Sequence, residues 1–238
     1  MRLPFGFRLD RKRTLLTAGA AAASLLFVLV WGVISLLGTA KVVPEELFNH
    51  SLQNTLTSHS YRYSVEVKQN GSDVISTVQG ERVEPDRVHI KGAMLKSRDI
   101  EFIQISDVTY MKDPWSSRWI TLEDSKLAQA ELFLTEFNPL SMFNFKDVPE
   151  VKVSGSERVD GVKTVLMELK PSVSNPYLEF KYVDYDYKIW ADPKDQLIRK
   201  AVLEANLPAG QKGMTVEMKF WDFNEPLIIE KPGIETGS

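Results

Sequence analysis

Tyr61–Lys68 reads YRYSVEVK, and in it Tyr61, Tyr63, Val65 and Val67 alternate with Arg62, Ser64, Glu66 and Lys68. A period of two sends alternate side chains to opposite faces of a strand, here one apolar face and one wet face. Asn70-Gly71 follows directly, a pair that accepts the positive φ values of a tight hairpin turn. The pattern returns late in the chain, where Val183, Tyr185, Tyr187 and Ile189 oppose Asp184, Asp186 and Lys188. It returns again where Met214, Val216, Met218 and Phe220 oppose Thr215, Glu217 and Lys219. Half-buried antiparallel strands are the consequence.

Between these segments, further strands are predicted near 73–83, 86–96, 99–105, 107–112, 117–121, 150–157, 162–170 and 197–206. Turns are marked by Glu84-Pro85-Asp86, Ser106-Asp107, Asp113-Pro114, Asp160-Gly161, Asp192-Pro193 and Pro208-Ala209-Gly210. A turn signal about every ten residues points to one antiparallel meander rather than to strand-helix-strand units. Two helical segments interrupt it. In Pro44–Ser58, Leu47, Phe48, Leu52 and Leu56 fall at helical spacing behind a proline and two glutamates, acids that favour the helix start. In 122–145, Leu127, Ala130, Leu134 and Phe137, with Phe133, form a second stripe; Pro139 then breaks it into a short helix holding Met142, Phe143 and Phe145. The fold class predicted is α+β and mainly β: a single curved antiparallel sheet of about ten strands covered by short helices, because so large a sheet must curl, split or be covered.

The amino terminus differs from all of this. Residues 14–40 carry no charge over 27 positions, and about 20 apolar residues suffice for a helix to cross a bilayer. The preceding 13 residues hold five bases and one acid, which places the tail in the cytoplasm and the remainder outside. The organisation predicted is a basic tail over 1–13, a transmembrane signal-anchor helix over 14–40, an extracytoplasmic domain over 41–232 and a flexible tail over 233–238. The alternative is a cleaved signal ending near Ala40, where Gly38-Thr39-Ala40 offers small residues.

Composition excludes several chemistries. The chain has 238 residues and a net charge of -3. Five of its 29 basic and one of its 32 acidic residues lie before residue 41, leaving 24 and 31 and a net of -7 for the outer part. With no later cluster of Lys and Arg, a nucleic-acid partner is not expected. Cysteine is absent, which removes disulfides, thiol catalysis, Cys-ligated metals and an acylated-Cys anchor. His50, His59 and His89 lie apart, without an HExxH motif, and no GxSxG is present. No catalytic residue, metal or cofactor is assigned, and the chain is read as a non-enzyme.

The order of elements and several local motifs together resemble the LolA-like and LppX/LprG-like superfamily of envelope lipoprotein carriers and lipid-binding proteins. The motifs are Ser60-Tyr61-Arg62-Tyr63 after the entry helix, the hairpin from Val108-Thr109-Tyr110-Met111-Lys112 to Trp119, and the hairpin Val159–Thr164. Ile189-Trp190-Ala191-Asp192 with Leu197-Ile198-Arg199-Lys200 follows, then Phe220–Pro226 before Ile228-Ile229. The resemblance covers residues 44–232 and implies a half-barrel whose curved sheet and helical lid enclose an apolar cavity for acyl chains. The residues assigned to that cavity are Tyr63, Val65, Phe102, Tyr110, Trp119, Tyr187 and Met218, with Leu134, Phe137, Met142 and Phe143 as a movable lid. Aromatic and Met side chains taken together suit an apolar ligand of loose shape; for any one of them alone ordinary core packing and cross-strand pairing is the preferred reading, and ordinary core helices are the equal alternative to a lid. The partners expected are a lipid or acylated protein and the membrane through 14–40. The alternative function is an envelope sensor or protein-interaction module on the same scaffold, bound to an envelope protein.

Overall fold

A computed structural model of the chain describes residues 43–94, 98–122 and 134–233. The charge-free run 14–40 and the first half of the mid-chain stripe, including Leu127, Ala130 and Phe133, lie outside the described residues. Helix α1 (Pro44–Leu56) leads into strand β1 (Ser60–Gln69). The meander continues through β2 (Asp73–Val83), β3 (Arg87–Met94), β4 (Arg98–Ile105), β5 (Val108–Lys112) and β6 (Trp119–Leu122). A one-turn helix α2 (Leu134–Phe137) and a 3₁₀ turn (Pro139–Phe143) precede the short β7 (Phe145–Asp147). The chain resumes with β8 (Val151–Val159), β9 (Val162–Leu169), β10 (Ser172–Val173), α3 (Pro176–Lys181), β11 (Asp184–Asp192), β12 (Leu197–Leu207) and β13 (Gln211–Trp221).

Eleven strands form one sheet in the order β6-β5-β4-β3-β2-β1-β13-β12-β11-β9-β8, every neighbouring pair antiparallel. Among the described residues, β7 and β10 stand aside as a separate pair. The sheet is open, with β6 and β8 at its edges. Laid flat it would be about 50 Å wide at the usual strand spacing. Inner-face residues from β4 to β8 nevertheless belong to one buried cluster with α1 and the 134–143 segment, so the sheet curls around its cover. Among the described residues no helix is long and apolar enough to cross a membrane.

Turn chemistry accounts for the register. Asn70-Gly71 and Asp160-Gly161 each have positive φ at both positions, the geometry of the hairpin turn whose twist matches that of the strands it joins. Each of the strands expected from the sequence is present. The main sheet holds eleven strands, in keeping with the expectation of about ten.

Two helical expectations are corrected. Phe145 lies in β7 rather than in a helix with Met142 and Phe143, because the 3₁₀ turn closes at Phe143 and Phe145 pairs with Val173. In α1 the stripe is rotated. Leu47, Phe48, Ser51 and Thr55 are buried whereas Leu56 is exposed. The cause is a polar tether: Thr55 Oγ1 accepts the buried Ile198 amide at 3.0 Å, beside the β11–β12 register shift at Trp190/Ala191. That amide needs an acceptor. Helix α3 and the β7–β10 pair are too short for their sequences to carry a period.

Candidate functional site

Residues directly opposite one another in neighbouring strands share a face, so the register gives the inner surface row by row. One row runs Phe102, Ile90, Gly80, Tyr63, Phe220. A second runs Val78, Val65, Met218, Ala201, Ile189, Met167, and a third Ser76, Val67, Val216, Leu203, Tyr187, Leu169, Val151. Apart from Gly80 and Ser76 every member is hydrophobic or aromatic, and all of these are buried. Leu47 and Phe48 from α1, with Phe137, Leu140, Met142 and Phe143 from the mid-chain segment, cover them.

Two tyrosines fasten the cover to the sheet. The Tyr63 hydroxyl donates to the Glu136 carbonyl at 2.7 Å, and the Tyr187 hydroxyl to the Met142 carbonyl at 2.6 Å. Burial raises both phenols well above their ordinary value, so both remain protonated donors. Gly80 gives Tyr63 its room, since a Cβ there would stand 2.2 Å from the Tyr63 Cζ atom. Ring contacts complete the closure. Phe102 meets Phe137 at 5.8 Å, Phe143 meets Phe220 at 6.0 Å, and Phe145 meets Tyr187 edge-on at 5.0 Å.

One acid sits within this apolar setting. Glu136 is 4% exposed, and burial raises its carboxyl, only partly offset by the neighbouring Ser76 hydroxyl. Among the described residues it has no ion-pair partner. No residue spacing announces such a group in advance.

Of the residues assigned from sequence, the structure brings Tyr63, Val65, Phe102, Phe137, Met142, Phe143, Tyr187 and Met218 into a single cluster. Leu134 opens α2, and its side chain is not among those described. Tyr110 and Trp119 are placed elsewhere. Tyr110 pairs with Ile103, one residue out of phase with the inner-face Phe102, and so faces the opposite side of the sheet. There Ile103, Tyr110 and Ile229 form a second cluster with Trp119 packed against it. The carboxy-terminal strap crosses this side, Arg87 Nη1 donating to the Ile229 carbonyl at 2.7 Å. Alternation within β5 does not decide this, since Tyr110 and Met111 compete for the inner face and the strand is only five residues long.

The outer face is charged. A cleft of about 600 Å³ is lined by Lys152, Glu168, Lys188, Glu204 and neighbours. Glu101 gathers His89, Lys91 and Lys112 at 3.0–3.1 Å. Partial burial alone would raise the Glu101 carboxyl, but Lys112, His89 and Lys91 hold it down to about 2. No set of three or more metal-ligating side chains converges among the described residues.

No family model and no curated protein matches this sequence. Solved structures do resemble it. The lipoprotein LppX of Mycobacterium tuberculosis superposes with a TM-score of 0.55 over 80% of this chain and 100% of its own, at 16% identity. LprF from Mycobacterium bovis superposes with a TM-score of 0.58 over 79% of this chain and 96% of its own, at 11% identity. Identities this low carry architecture and nothing finer: the chain has the fold seen in LppX and LprF.

Proposed function

We propose that the chain is a membrane-anchored extracytoplasmic binding protein that takes a lipid, an acylated protein or another apolar ligand against the inner face of its sheet. The observation that carries this is the nature of the cover. A sheet face lined by aromatic, Met and aliphatic side chains is closed over Phe102, Tyr63 and Tyr187 by a one-turn helix and a 3₁₀ turn rather than by a long helix. Such a segment can leave as a unit.

Magnitudes favour exchange with a long chain. Releasing the cover breaks two tyrosine hydrogen bonds at about 0.5–1.5 kcal/mol each. It also exposes Phe137, Leu140, Met142 and Phe143 at about 1.5–3 kcal/mol each, so the total is about 7–15 kcal/mol. An acyl chain of about 15 methylenes gains about 12 kcal/mol on burial, and one of about six gains only about 5. Long chains therefore displace the cover and short ones do not. The fold shared with a lipoprotein supports an envelope location, and the charge-free run 14–40 supplies the attachment.

Native mass spectrometry and lipid extraction of the purified chain test the proposal. A stoichiometric apolar ligand is expected. An empty protein that also takes up no fluorescent fatty acid contradicts binding and leaves a protein-interaction role on the same scaffold.

A further inference from the structure

The inner face changes character toward the β2–β3 turn. Two residues along the strands from Phe102, Ile90, Gly80 and Tyr63, the register gives a row of Gln104, Val88, Arg82 and Tyr61. Arg82 and Tyr61 stand directly opposite one another, so both project from the inner face with Cβ atoms about 5 Å apart. The apolar rows thus meet a guanidinium.

The Tyr61 hydroxyl is an unspent donor. Tyr61 is 0% exposed, and its buried oxygen has no hydrogen-bond partner among the described residues, a state that folded proteins rarely carry without a reason. Packing fixes where it sits, because Tyr63 at 5.8 Å, Phe220 at 6.0 Å and Phe223 at 6.1 Å surround the ring. Burial raises the phenol above its ordinary value, so it keeps its proton. Arg82 is only partly used as well. Its side chain is 15% exposed, and Nε donates to Glu84 Oε1 at 2.6 Å. Among the described residues its two terminal nitrogens have no partner, which leaves the edge of the fork that grips two oxygens at once.

We infer that Arg82 and Tyr61 form a headgroup site, binding the carboxylate or phosphate of an amphiphile whose acyl tail lies along the apolar rows. This inference rests on the proposal that the inner face takes an apolar ligand, and it names the class of that ligand. The unspent groups all donate, so the matching head is rich in acceptor oxygens; opposite a guanidinium, an oxyanion fits best. Position agrees with chemistry. Glu84 is 40% exposed, which puts the charged end of the row at the wet rim, where a head keeps part of its hydration. From Tyr61 to Val67 the inner face runs six residues, about 20 Å of strand, past Tyr63 and Val65. That is the run of an extended long acyl chain. The site also adjoins the cover: Tyr61 packs on Phe220, and Phe220 on Phe143 at 6.0 Å. Departure of Phe143 therefore opens the way to Tyr61.

The test holds the tail constant and changes the head. The full chain is titrated with hexadecanoic acid, hexadecyl phosphate and hexadecanol, and bound ligand is read by native mass spectrometry. At least one of the two oxyanions is expected to bind about tenfold more tightly than the alcohol, the size of a charge-assisted hydrogen bond; the tighter of the two identifies the head as a fatty acid's or a phospholipid's. R82Q and Y61F should each remove several-fold of that preference while alcohol binding stays at the parent value. Y61F should also keep the parent melting temperature, since its hydroxyl bonds nothing in the fold. Equal binding of acid, phosphate and alcohol by the parent overturns the headgroup site and leaves apolar binding standing. A preference undiminished in Y61F and R82Q overturns it too. Failure of all three to bind contradicts apolar binding itself, and the headgroup site with it.

Discussion

The Tyr187 hydroxyl, rising from β11, third strand from one edge of the sheet, donates to the Met142 carbonyl in the cover at 2.6 Å. Tyr63 makes the matching bond to Glu136. Both acceptors are main-chain carbonyls at opposite ends of the 134–143 segment, so the pair holds its path rather than any one side chain. Losing a donor leaves a buried carbonyl unsatisfied, which costs about 1–3 kcal/mol. Y63F and Y187F are each expected to lower unfolding free energy by about that amount, measured by chemical denaturation. Amide exchange of residues 134–143 should accelerate more than that of β13. Unchanged exchange in both variants would show that the tyrosines do not hold the cover.

Gly80 and Tyr63 are predicted to be energetically coupled. A Cβ at position 80 meets the Tyr63 ring at 2.2–2.6 Å, and overpacking of this kind costs about 1–3 kcal/mol. G80A should therefore be destabilising alone and nearly silent in a Y63V background, where the ring is gone. Simple additivity in the double-mutant cycle would contradict the packing described.

Glu136 gives a pH dependence of one sign. Its folded-state carboxyl is raised above the ordinary 4.5 by burial. Its stabilising contribution is therefore complete below 4.5 and lost as pH rises through the folded value. E136Q, which carries no charge to bury, should match the parent in acid and exceed it in melting temperature at neutral pH. A parent more stable than E136Q at pH 7 would mean that the carboxylate has a partner after all.

Glu101 gives the opposite sign. Against partial burial, Lys112, His89 and Lys91 hold it at about 2 rather than 4.5. Its stabilisation is complete above 4.5 and lost as pH falls from there toward 2. E101Q should thus be less stable than the parent at pH 7, with the difference closing by about pH 2. A gap that persists in acid would assign the loss to packing instead of charge.

How far the sequence discloses this arrangement depends on element length. YRYSVEVK at 61–68 and the two later alternating runs place Tyr63, Val65, Tyr187 and Met218 on one face because period two survives over seven or more residues. Asn70-Gly71 and Asp160-Gly161 fix hairpins by backbone chemistry alone. The register does the rest, and it is not written locally. Nothing in β5, five residues long with Tyr110 beside Met111, says which of the two faces inward. Glu136 and Thr55 are polar residues on buried faces, where hydropathy points the wrong way: one lies against an apolar wall and the other answers an unpaired amide. Gly80 is invisible for a different reason, since its role exists only once Tyr63 lies across it.

Hydrogen exchange of the 134–143 segment, with and without a saturating long-chain fatty-acid probe, tests the central claim most directly. A chain of about 16 carbons is expected to bind and to strip protection from residues 134–143 while β1 and β13 stay protected; an eight-carbon analogue should do neither. Binding of the long chain with the cover fully protected would place the ligand elsewhere and contradict the claim that it replaces Phe137, Met142 and Phe143 on the inner face.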